Sequence, residues 1–266
     1  MTSTSSATVR PIGEPLGPTF RLPEHPPCPA ATPVRRAGIT GYADGVLIES
    51  EDTVAVEEVL RIALPGLEEI ILMRTPGDDE HLIAGHLFSL GLIRSASDVL
   101  GILPADGDPD HVAVRLRSVS PRRAPAIPRI GPAVDPERIF ELRGRFEARQ
   151  NLYRTTGSTH AAALFSADGE LLAYGEDVSR HCAFDKAVGL SLEERTLGRA
   201  DIAMLTSRLA KELAAKAAMA DIPVLCGFSA ATSAGMELAR QSGITLIGRI
   251  RRDNFRIYAN GWRLRP

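Results

Sequence analysis

The sequence predicts a mixed α/β protein, in which a larger three-layer α/β domain follows a smaller α+β unit. Three observations support this prediction. In residues 136–266, segments with helical periodicity alternate with short, fully apolar strands. Such strands belong to a sheet that helices cover on both faces. Residues 37–120 carry several strand-like segments around one helix, and proline-rich stretches precede and follow that unit.

Length and composition agree with this organisation. The chain has 266 residues, of which 44% are hydrophobic and 24% charged, so it can bury a core without disulfides. The net charge of -2 excludes a polycation built to bind nucleic acid. No apolar run approaches the roughly 18 residues that span a bilayer, and the N-terminus lacks the apolar stretch of a signal peptide. We therefore expect a cytoplasmic protein that contacts neither membrane nor nucleic acid.

The first 36 residues contain eight of the 19 prolines, including the stretch PPCPAATP at 26–33. Proline lacks a backbone donor and blocks both helix and sheet. We therefore predict that residues 1–36 form a disordered tail.

The smaller α+β unit is predicted over residues 37–120. TVAVEEVLRIAL (53–64) and EEIILM (68–73) are rich in β-branched and apolar residues, which favours paired strands. Asp78 stands where a helix N-cap is expected, before DEHLIAGHLFSLGLI (79–93). HVAVRLR (111–117) alternates between apolar and polar residues and predicts a further strand.

The larger domain is predicted over residues 136–266, after a linker at 121–135 that is rich in proline. Asp135 is a suitable N-cap and Pro136 suits the first helical position. AAALF (161–165) and ELLAYG (170–175) flank a turn and predict a hairpin. We further predict helices near 181–194, 209–220 and 233–241, and strands at 202–207, 222–229, 244–250 and 254–259.

A polar cluster occupies TTGSTH (155–160) and EDVSRHCAFDKAVG (176–189). Its members lie at the ends of predicted elements, and in α/β sheets ligands bind at strand ends. We interpret it as a candidate site, although His160 could equally be a hydrogen-bonded core histidine and Asp177 a helix cap. The members are His160, Glu176, Asp177, Arg180, His181, Asp185 and Lys186.

Arginines form two clusters. A guanidinium presents a planar fork of donors that matches phosphate oxygens. The segment GRIRRDN directly follows an apolar strand, so we predict phosphate binding there, with a solvated basic face as the alternative. The turn SAATSAG (229–235) precedes a helix and is either a second anion site or a simple cap. The first cluster comprises Arg115, Arg117, Arg122, Arg123 and Arg129, and the second Arg249, Arg251, Arg252, Arg256, Arg263 and Arg265.

The three cysteines form no CxxC pair, which argues against a disulfide framework or a zinc ribbon and fits a reducing compartment. Cys28 lies in the proline-rich tail, and Cys226 lies in an apolar strand where it should be buried. Cys182 follows His181 near a predicted helix start. Because a helix N-terminus and a neighbouring cation lower a thiol pKa, Cys182 is the candidate reactive thiol.

Three long segments together resemble the formate dehydrogenase accessory sulfurtransferase (sulfur-carrier) family, over roughly residues 40–262. The first is RTPGDDEHLIAGHLFSLGLI, and the second is TGSTHAAALFSADGELLAYGEDVSRHCAFDKAVG. The third runs from SR through KAAMADIPVLCGFSAATSAGMELARQSGITLIGRIRRDNFRIY.

The resemblance implies a cytoplasmic homodimer with a cytidine-deaminase-like α/β fold and a smaller N-terminal subdomain. It implies that the chain binds the molybdenum or tungsten bis-(molybdopterin guanine dinucleotide) cofactor as cargo for the formate dehydrogenase apo-enzyme. The family's cofactor-binding segment falls here on Arg249, Ile250, Arg251, Arg252, Asp253 and Asn254. We expect the same pocket to be lined by His160, Asp177, Arg180, His181 and Lys186.

In this family, sulfur passes from a cysteine desulfurase to a CGxCG loop, but this chain has SPRRAPAIPRIGPAVDPER at that place. No cysteine occurs between Cys28 and Cys182, and a persulfide relay needs an exposed thiolate. We therefore expect cofactor binding without a catalytic residue. Sulfur transfer through Cys182 and a nucleotide-binding regulator are the alternatives.

Deaminase chemistry is excluded by the sequence. It needs a His-x-Glu pair and a P-C-x-x-C motif, because three ligands hold the zinc and the glutamate moves protons. Here Ala161 and Ala162 follow His160, and the chain has no CxxC. We expect no resident metal site.

Overall fold

The computed structural model describes residues 32–105, 107–117, 124 and 130–265. Most of the predicted tail and much of the predicted linker therefore lie outside the described residues. The strands are β1 (Val34–Ala43), β2 (Val46–Ala55), β3 (Glu58–Ala63), β4 (Ile70–Arg74), β5 (Val99–Ala105), β6 (Asp108–Leu116), β7 (His160–Phe165), β8 (Leu171–Asp177), β9 (Ile202–Leu205), β10 (Val224–Gly227), β11 (Thr245–Gly248) and β12 (Arg256–Ala259). The α-helices are α1 (Asp79–Ser89), α2 (Pro136–Arg149), α3 (Asn151–Thr156), α4 (Arg180–Glu193), α5 (Lys211–Met219) and α6 (Ser233–Gln241).

A six-stranded sheet has the order β12-β11-β10-β9-β7-β8. β9, β10 and β11 are parallel, whereas β7 is antiparallel to both β8 and β9. The carboxyl ends of β8 to β11 and the amino end of β7 therefore lie at one edge of the sheet. We call this edge the carboxyl edge; it is marked by His160, Asp177, Thr206, Phe228 and Arg249.

Helices cover both faces of this sheet. Ala162 and Leu164 of β7 pack into a core with α1, α4, α5 and α6. The alternate residues, Ala161 and Ala163, pack into a second core with Phe146 of α2. The mixed α/β fold class and its three layers are thereby confirmed, and the cytidine-deaminase-like assignment stays a prediction.

A four-stranded sheet with the order β4-β3-β6-β5 lies in the amino-terminal part. Leu60 and Val112 of this sheet join the same core as α1 and α4. Helices α1 and α4 cross without side chains between them, because Gly85 and Gly189 lie at the crossing. A Cβ on either glycine would stand 1.9 Å from a carbonyl oxygen of the other helix.

Several local predictions are confirmed. The Asp135 carboxylate accepts a hydrogen bond from the backbone N–H of Glu137 at 2.9 Å, and Pro136 opens α2. The turn between β7 and β8 closes through a hydrogen bond from Gly169 N to Ser166 O at 3.0 Å. These signals depend on neighbouring residues, which is why the sequence shows them.

Other predictions are wrong in detail. The stretch 53–64 is divided between β2 and β3, and β1, β5 and α3 were not predicted. β1 begins at Val34, inside the stretch assigned to the tail, and pairs with β2 around Asp44 and Gly45, which both have positive φ. An Asp-Gly pair is a strong hairpin signal. Asp78 precedes α1 in a left-handed conformation and makes no side-chain cap.

Within the described residues, no helix combines the length and the apolar character needed to cross a bilayer. The longest helices, α2 and α4, have 14 residues each.

Candidate functional site

The carboxyl edge collects cations and imidazoles from four strand ends. His160 opens β7, Arg180 and His181 open α4 after β8, Arg208 follows β9, and Arg249 follows β11. β11 lies three positions from β7 in the sheet, which corresponds to about 14 Å at the usual strand spacing. The two predicted groups of site residues therefore lie on the same edge, toward opposite ends of an elongated surface.

His160 is held by a threonine of the neighbouring strand end. Its Nδ1 lies 3.1 Å from Thr206 Oγ1, and the same oxygen accepts the backbone N–H of Ala161 at 3.0 Å. Burial, together with the charges of Arg180 and Arg208, lowers the pKa of His160 below its ordinary value. The imidazole is therefore neutral at neutral pH.

Arg180 occupies a position that costs free energy in the ligand-free protein. It is the first residue of α4, directly after the N-cap Ser179. A cation at a helix N-terminus is disfavoured by about 0.3–1 kcal/mol, because the helix dipole is positive there. The buried Nε of Arg180 also has no hydrogen-bond partner among the described residues. A bound anion would relieve both costs.

His181 is the second residue of α4. Burial, Arg180 and Lys216 lower its pKa, while Asp185 and Glu212 oppose the shift. Sequence reasoning did not select Arg208, Thr206 or Lys216. For Arg208 and Thr206 the signal was present, since Thr206 directly follows the apolar strand β9 and Arg208 comes two residues later.

Asp177 and Lys186 form a buried ion pair at 2.8 Å and are almost fully hidden from solvent. The Asp177 carboxylate accepts the backbone N–H of Thr75 at 3.1 Å and that of Ser179 at 2.8 Å. Lys186 Nζ donates to Thr75 O at 2.8 Å. Burial raises the pKa of Asp177, while Lys186 opposes the rise. These two predicted site residues are thus engaged in fixing the turn after β4.

Asp185 and Glu176, also members of the polar cluster, bind within the protein. Asp185 is fully buried and accepts hydrogen bonds from His86 at 2.8 Å, from Ser89 at 2.9 Å and from Lys216. It connects α1 and α5 to α4. Glu176 accepts the backbone N–H groups of Leu152 and Tyr153, in the first turn of α3, at 3.1 and 3.0 Å.

The segment 249–254 forms a closed turn. Arg249 has a positive φ of 52° and donates its backbone N–H to Ser229 O at 3.0 Å. Arg251 N donates to Asn254 O at 2.7 Å, which closes the turn, and the guanidinium of Arg251 donates to Phe228 O at 3.0 Å. Ile250 is fully buried and anchors the segment in the core.

The remaining side chains of this segment face solvent. Arg249, Arg252 and Asp253 are exposed. Asp253 accepts a hydrogen bond from Asn254 at 2.7 Å. Among the residues that the structure describes, neither Arg249 nor Arg252 makes a side-chain hydrogen bond or an ion pair. Their guanidinium groups are therefore available to a ligand.

The other predicted arginines that the structure describes are dispersed, except for Arg256, which shares the carboxyl edge with the 249–254 segment. Arg115 belongs to β6 and Arg117 follows it, in the four-stranded sheet. Arg263 is buried at the opposite edge, where it donates to Ile130 O at 2.7 Å and Gly243 O at 2.6 Å. Arg256 pairs with Gly248 at the end of β11, and Arg265 is exposed near the C-terminus. Arg122, Arg123 and Arg129 lie outside the described residues.

The thiol of Cys182 is not exposed to a reaction partner. Only 2% of the residue is accessible, and Sγ donates to Met73 O at 3.3 Å. Burial, followed by the charge of Asp177, raises the pKa of Cys182 to about 12. The expected depression of this pKa by Arg180 and the helix start is therefore wrong. Burial also raises the pKa of Cys226, and Cys28 lies outside the described residues.

No three His, Cys, Asp or Glu side chains of the described residues are grouped as metal ligands.

The chain is similar in sequence to proteins of known families. The profile of the FdhD/NarQ family matches residues 118–265. The sulfur carrier protein FdhD of Streptomyces coelicolor is 36% identical, with 86% of this chain and 95% of the relative covered. That of Saccharolobus solfataricus is 35% identical, with 87% of this chain and 98% of the relative covered.

A solved structure also has the same fold. The crystal structure of a protein from Desulfotalea psychrophila, described as a formate dehydrogenase accessory protein, superposes with a TM-score of 0.74 and 26% identity. The superposition covers 88% of this chain and 100% of that chain.

Proposed function

Because this chain belongs to the FdhD/NarQ family, we propose that it is an accessory protein for formate dehydrogenase maturation. In this proposal it binds the molybdenum or tungsten bis-(pterin guanine dinucleotide) cofactor as cargo and presents it to the apo-enzyme. The names of its relatives, sulfur carrier protein FdhD and formate dehydrogenase accessory protein, support the maturation role.

The observation that carries the binding role is the unneutralised charge at the carboxyl edge. Arg180 has a buried Nε without a partner among the described residues and stands at a helix start. The positive charge of Arg208, like that of Arg180, lowers the pKa of His160. Arg208 is exposed, whereas the Nε of Arg180 is buried. A partly desolvated cation without a carboxylate partner among the described residues marks an anion site, because the ligand supplies the missing charge.

The length of this edge favours an extended ligand. About 14 Å separate the ends of β11 and β7, more than a single phosphate can span. We place the diphosphate and guanine at the 249–254 segment, where the guanidinium groups of Arg249 and Arg252 have no partner in the described part of the chain. The pterin end would then lie against His160, Arg180 and Arg208. A dinucleotide cargo fits this division into two ends.

The proposal assigns no sulfur relay to the described cysteines. A persulfide relay needs an accessible thiolate, whereas Cys182 is buried and its pKa is raised to about 12. Binding and presentation of cargo need no nucleophile. A cysteine desulfurase would be a partner only if another thiol received the sulfur.

Calorimetric titration with GDP, as a stand-in for the nucleotide end of the cargo, tests the binding role. We expect Arg249→Ala combined with Arg252→Ala to weaken GDP binding by at least about tenfold, because charge-assisted hydrogen bonds contribute about 1.5–3 kcal/mol each. Arg240→Ala is the matched control, since Arg240 is exposed near the carboxyl-terminal end of α6, at the opposite edge. Absence of binding, or equal affinity in all three proteins, contradicts the proposal.

Complementation tests the maturation role. We expect this chain to restore formate dehydrogenase activity in a strain that lacks its own accessory protein, and the double arginine variant to restore less. Binding of GDP without any restored activity would favour the nucleotide-binding regulator.

Light scattering of the purified protein would test the expected homodimer.

A further inference from the structure

We propose that Thr206 holds the His160 ring in the tautomer that carries its proton on Nε2, so that His160 donates a hydrogen bond to an anionic atom of the ligand. In this role His160 is neither a metal ligand nor a proton acceptor. The inference deepens the proposed function and rests on it for the identity of the anion.

The Thr206 hydroxyl lies between the backbone of β7 and the His160 ring. Thr206 N donates to Ala161 O at 3.1 Å, which fixes its backbone beside β7. Thr206 Oγ1 accepts the N–H of Ala161 at 3.0 Å. A hydroxyl carries a single proton. Among the described residues, His160 Nδ1 at 3.1 Å is the one acceptor within reach of that proton. The hydroxyl proton is assigned to Nδ1, because in the opposite tautomer Oγ1 would accept from both N–H groups and its proton would have no acceptor among the described residues.

The protonation of the other ring nitrogen follows. A neutral imidazole has one N–H group, so an accepting Nδ1 leaves the proton on Nε2. The ring is neutral at neutral pH, because burial and the charges of Arg180 and Arg208 disfavour the imidazolium. Thr206 thus acts as a positioning residue for His160.

His160, Arg180 and Arg208 together favour a ligand group that accepts hydrogen bonds. Arg180 and Arg208 have only donors, and the His160 Nε2–H adds a neutral donor to them. A group with acceptor atoms and negative charge, such as a phosphate oxygen or a sulfur ligand of the cargo, satisfies all three side chains. A protonated Nε2 cannot bind a metal ion, and the occupied Nδ1 cannot replace it.

The tautomer can be read directly in the ligand-free full chain. Two-bond ¹H–¹⁵N correlation spectra distinguish the two ring nitrogens, and His160→Gln assigns the signals of His160. We expect an Nε2–H tautomer at pH 7.5 in the natural protein and in Thr206→Ser, which keeps the hydroxyl. Thr206→Val should lose this preference. An Nδ1–H tautomer in the natural protein overturns the inference, as does an unchanged tautomer in a folded Thr206→Val.

The donor role is tested with two probes, inorganic phosphate and tetrathiomolybdate. Binding of either should move the Nε2–H resonance, and the probe that does so identifies an oxygen or a sulfur acceptor. We expect His160→Leu to weaken that binding about tenfold, while His160→Gln, which keeps an N–H donor, stays within about twofold. If neither probe moves the resonance, the donor role is refuted.

These measurements separate the inference from the proposed function. An Nε2–H tautomer in a protein that binds neither GDP nor either probe would refute cargo binding and the donor role, while the part played by Thr206 would stand. An Nδ1–H tautomer in a protein that binds GDP would refute the role of Thr206 and the donor role of His160, while the proposed binding of cargo would stand.

Discussion

Arg180 and Lys186 lie less than two turns apart on α4, yet they meet opposite environments. Lys186 is 3% exposed and paired with Asp177. Arg180 has a buried Nε that no described residue satisfies. The first cation is part of the folded framework, and the second is the side chain that a ligand would complete. At the carboxyl edge, Lys186 therefore contributes to stability, and Arg180 is the candidate for binding.

The buried pair gives a stability prediction. Lys186→Met leaves the Asp177 carboxylate buried without its counter-ion, so we expect a loss of about 3–5 kcal/mol of unfolding free energy. Urea denaturation measures the loss, and Lys211→Met, at an exposed lysine of α5, is the control. Adding Asp177→Asn to Lys186→Met should recover part of it. A loss below about 1 kcal/mol in Lys186→Met would contradict the structural role assigned to the pair.

The cysteines give a prediction about reactivity. With a pKa of about 12 and 2% exposure, Cys182 should resist iodoacetamide at pH 8 in the folded protein, because the thiolate is the reacting form. Cys226 should behave in the same way. Peptide mass mapping identifies the alkylated residues, and the urea-unfolded chain is the positive control. Rapid labelling of Cys182 in the folded protein would restore the alternative of a Cys182 sulfurtransferase.

At the scale of elements, the crossing of α1 and α4 joins the amino-terminal sheet to the larger domain. Both glycines at this crossing lie against carbonyl oxygens of the other helix. Backbone atoms cannot move aside as a flexible side chain can. The helices can approach this closely only where neither residue carries a Cβ.

We therefore expect Gly85→Ala and Gly189→Ala each to lower the unfolding free energy by about 3 kcal/mol, because the helices must separate. Gly144→Ala on α2 is the matched control, since a Cβ there meets nothing within 4 Å. That variant should gain up to about 1 kcal/mol from helix propensity. Equal effects in all three variants, measured by urea denaturation, would show that the crossing is not close-packed.

At the scale of the whole molecule, the charge at the carboxyl edge affects the pH dependence of stability. The pKa values of His160 and His181 are lowered in the folded protein, so the unfolded chain binds protons more readily. Their contribution to stability is fully present above the unfolded value of about 6.5. It is lost as the pH falls through the lowered folded values.

We accordingly expect the unfolding free energy to fall between pH 7.5 and pH 5.5. Urea denaturation at several pH values measures this dependence. His160→Gln combined with His181→Gln should flatten the dependence, whereas replacing the exposed control Arg240 by alanine should leave it unchanged. The same slope in the double histidine variant and the natural protein would show that neither imidazole is perturbed.

The sequence by itself determined the elements of the larger domain other than α3, and the edge at which its polar residues collect. Asp135 and Pro136 start α2, and the hairpin turn closes at Gly169. Such signals act between neighbours in the chain, and fully apolar strands can only be buried on both faces. The missed β1–β2 hairpin also had a local signal, at Asp44 and Gly45.

Only the tertiary structure decided which polar residues serve the fold and which face solvent at the carboxyl edge. Asp177 and Lys186 are held by Thr75, about a hundred positions away in the chain, and Arg263 is buried against Ile130. Arg249 and Arg180 have the same chemistry as Arg263, but no described carboxylate reaches them. The protonation of His160 likewise depends on Thr206, which belongs to another strand end. Burial and charge depend on contacts between distant segments, and spacing along one chain does not contain that information.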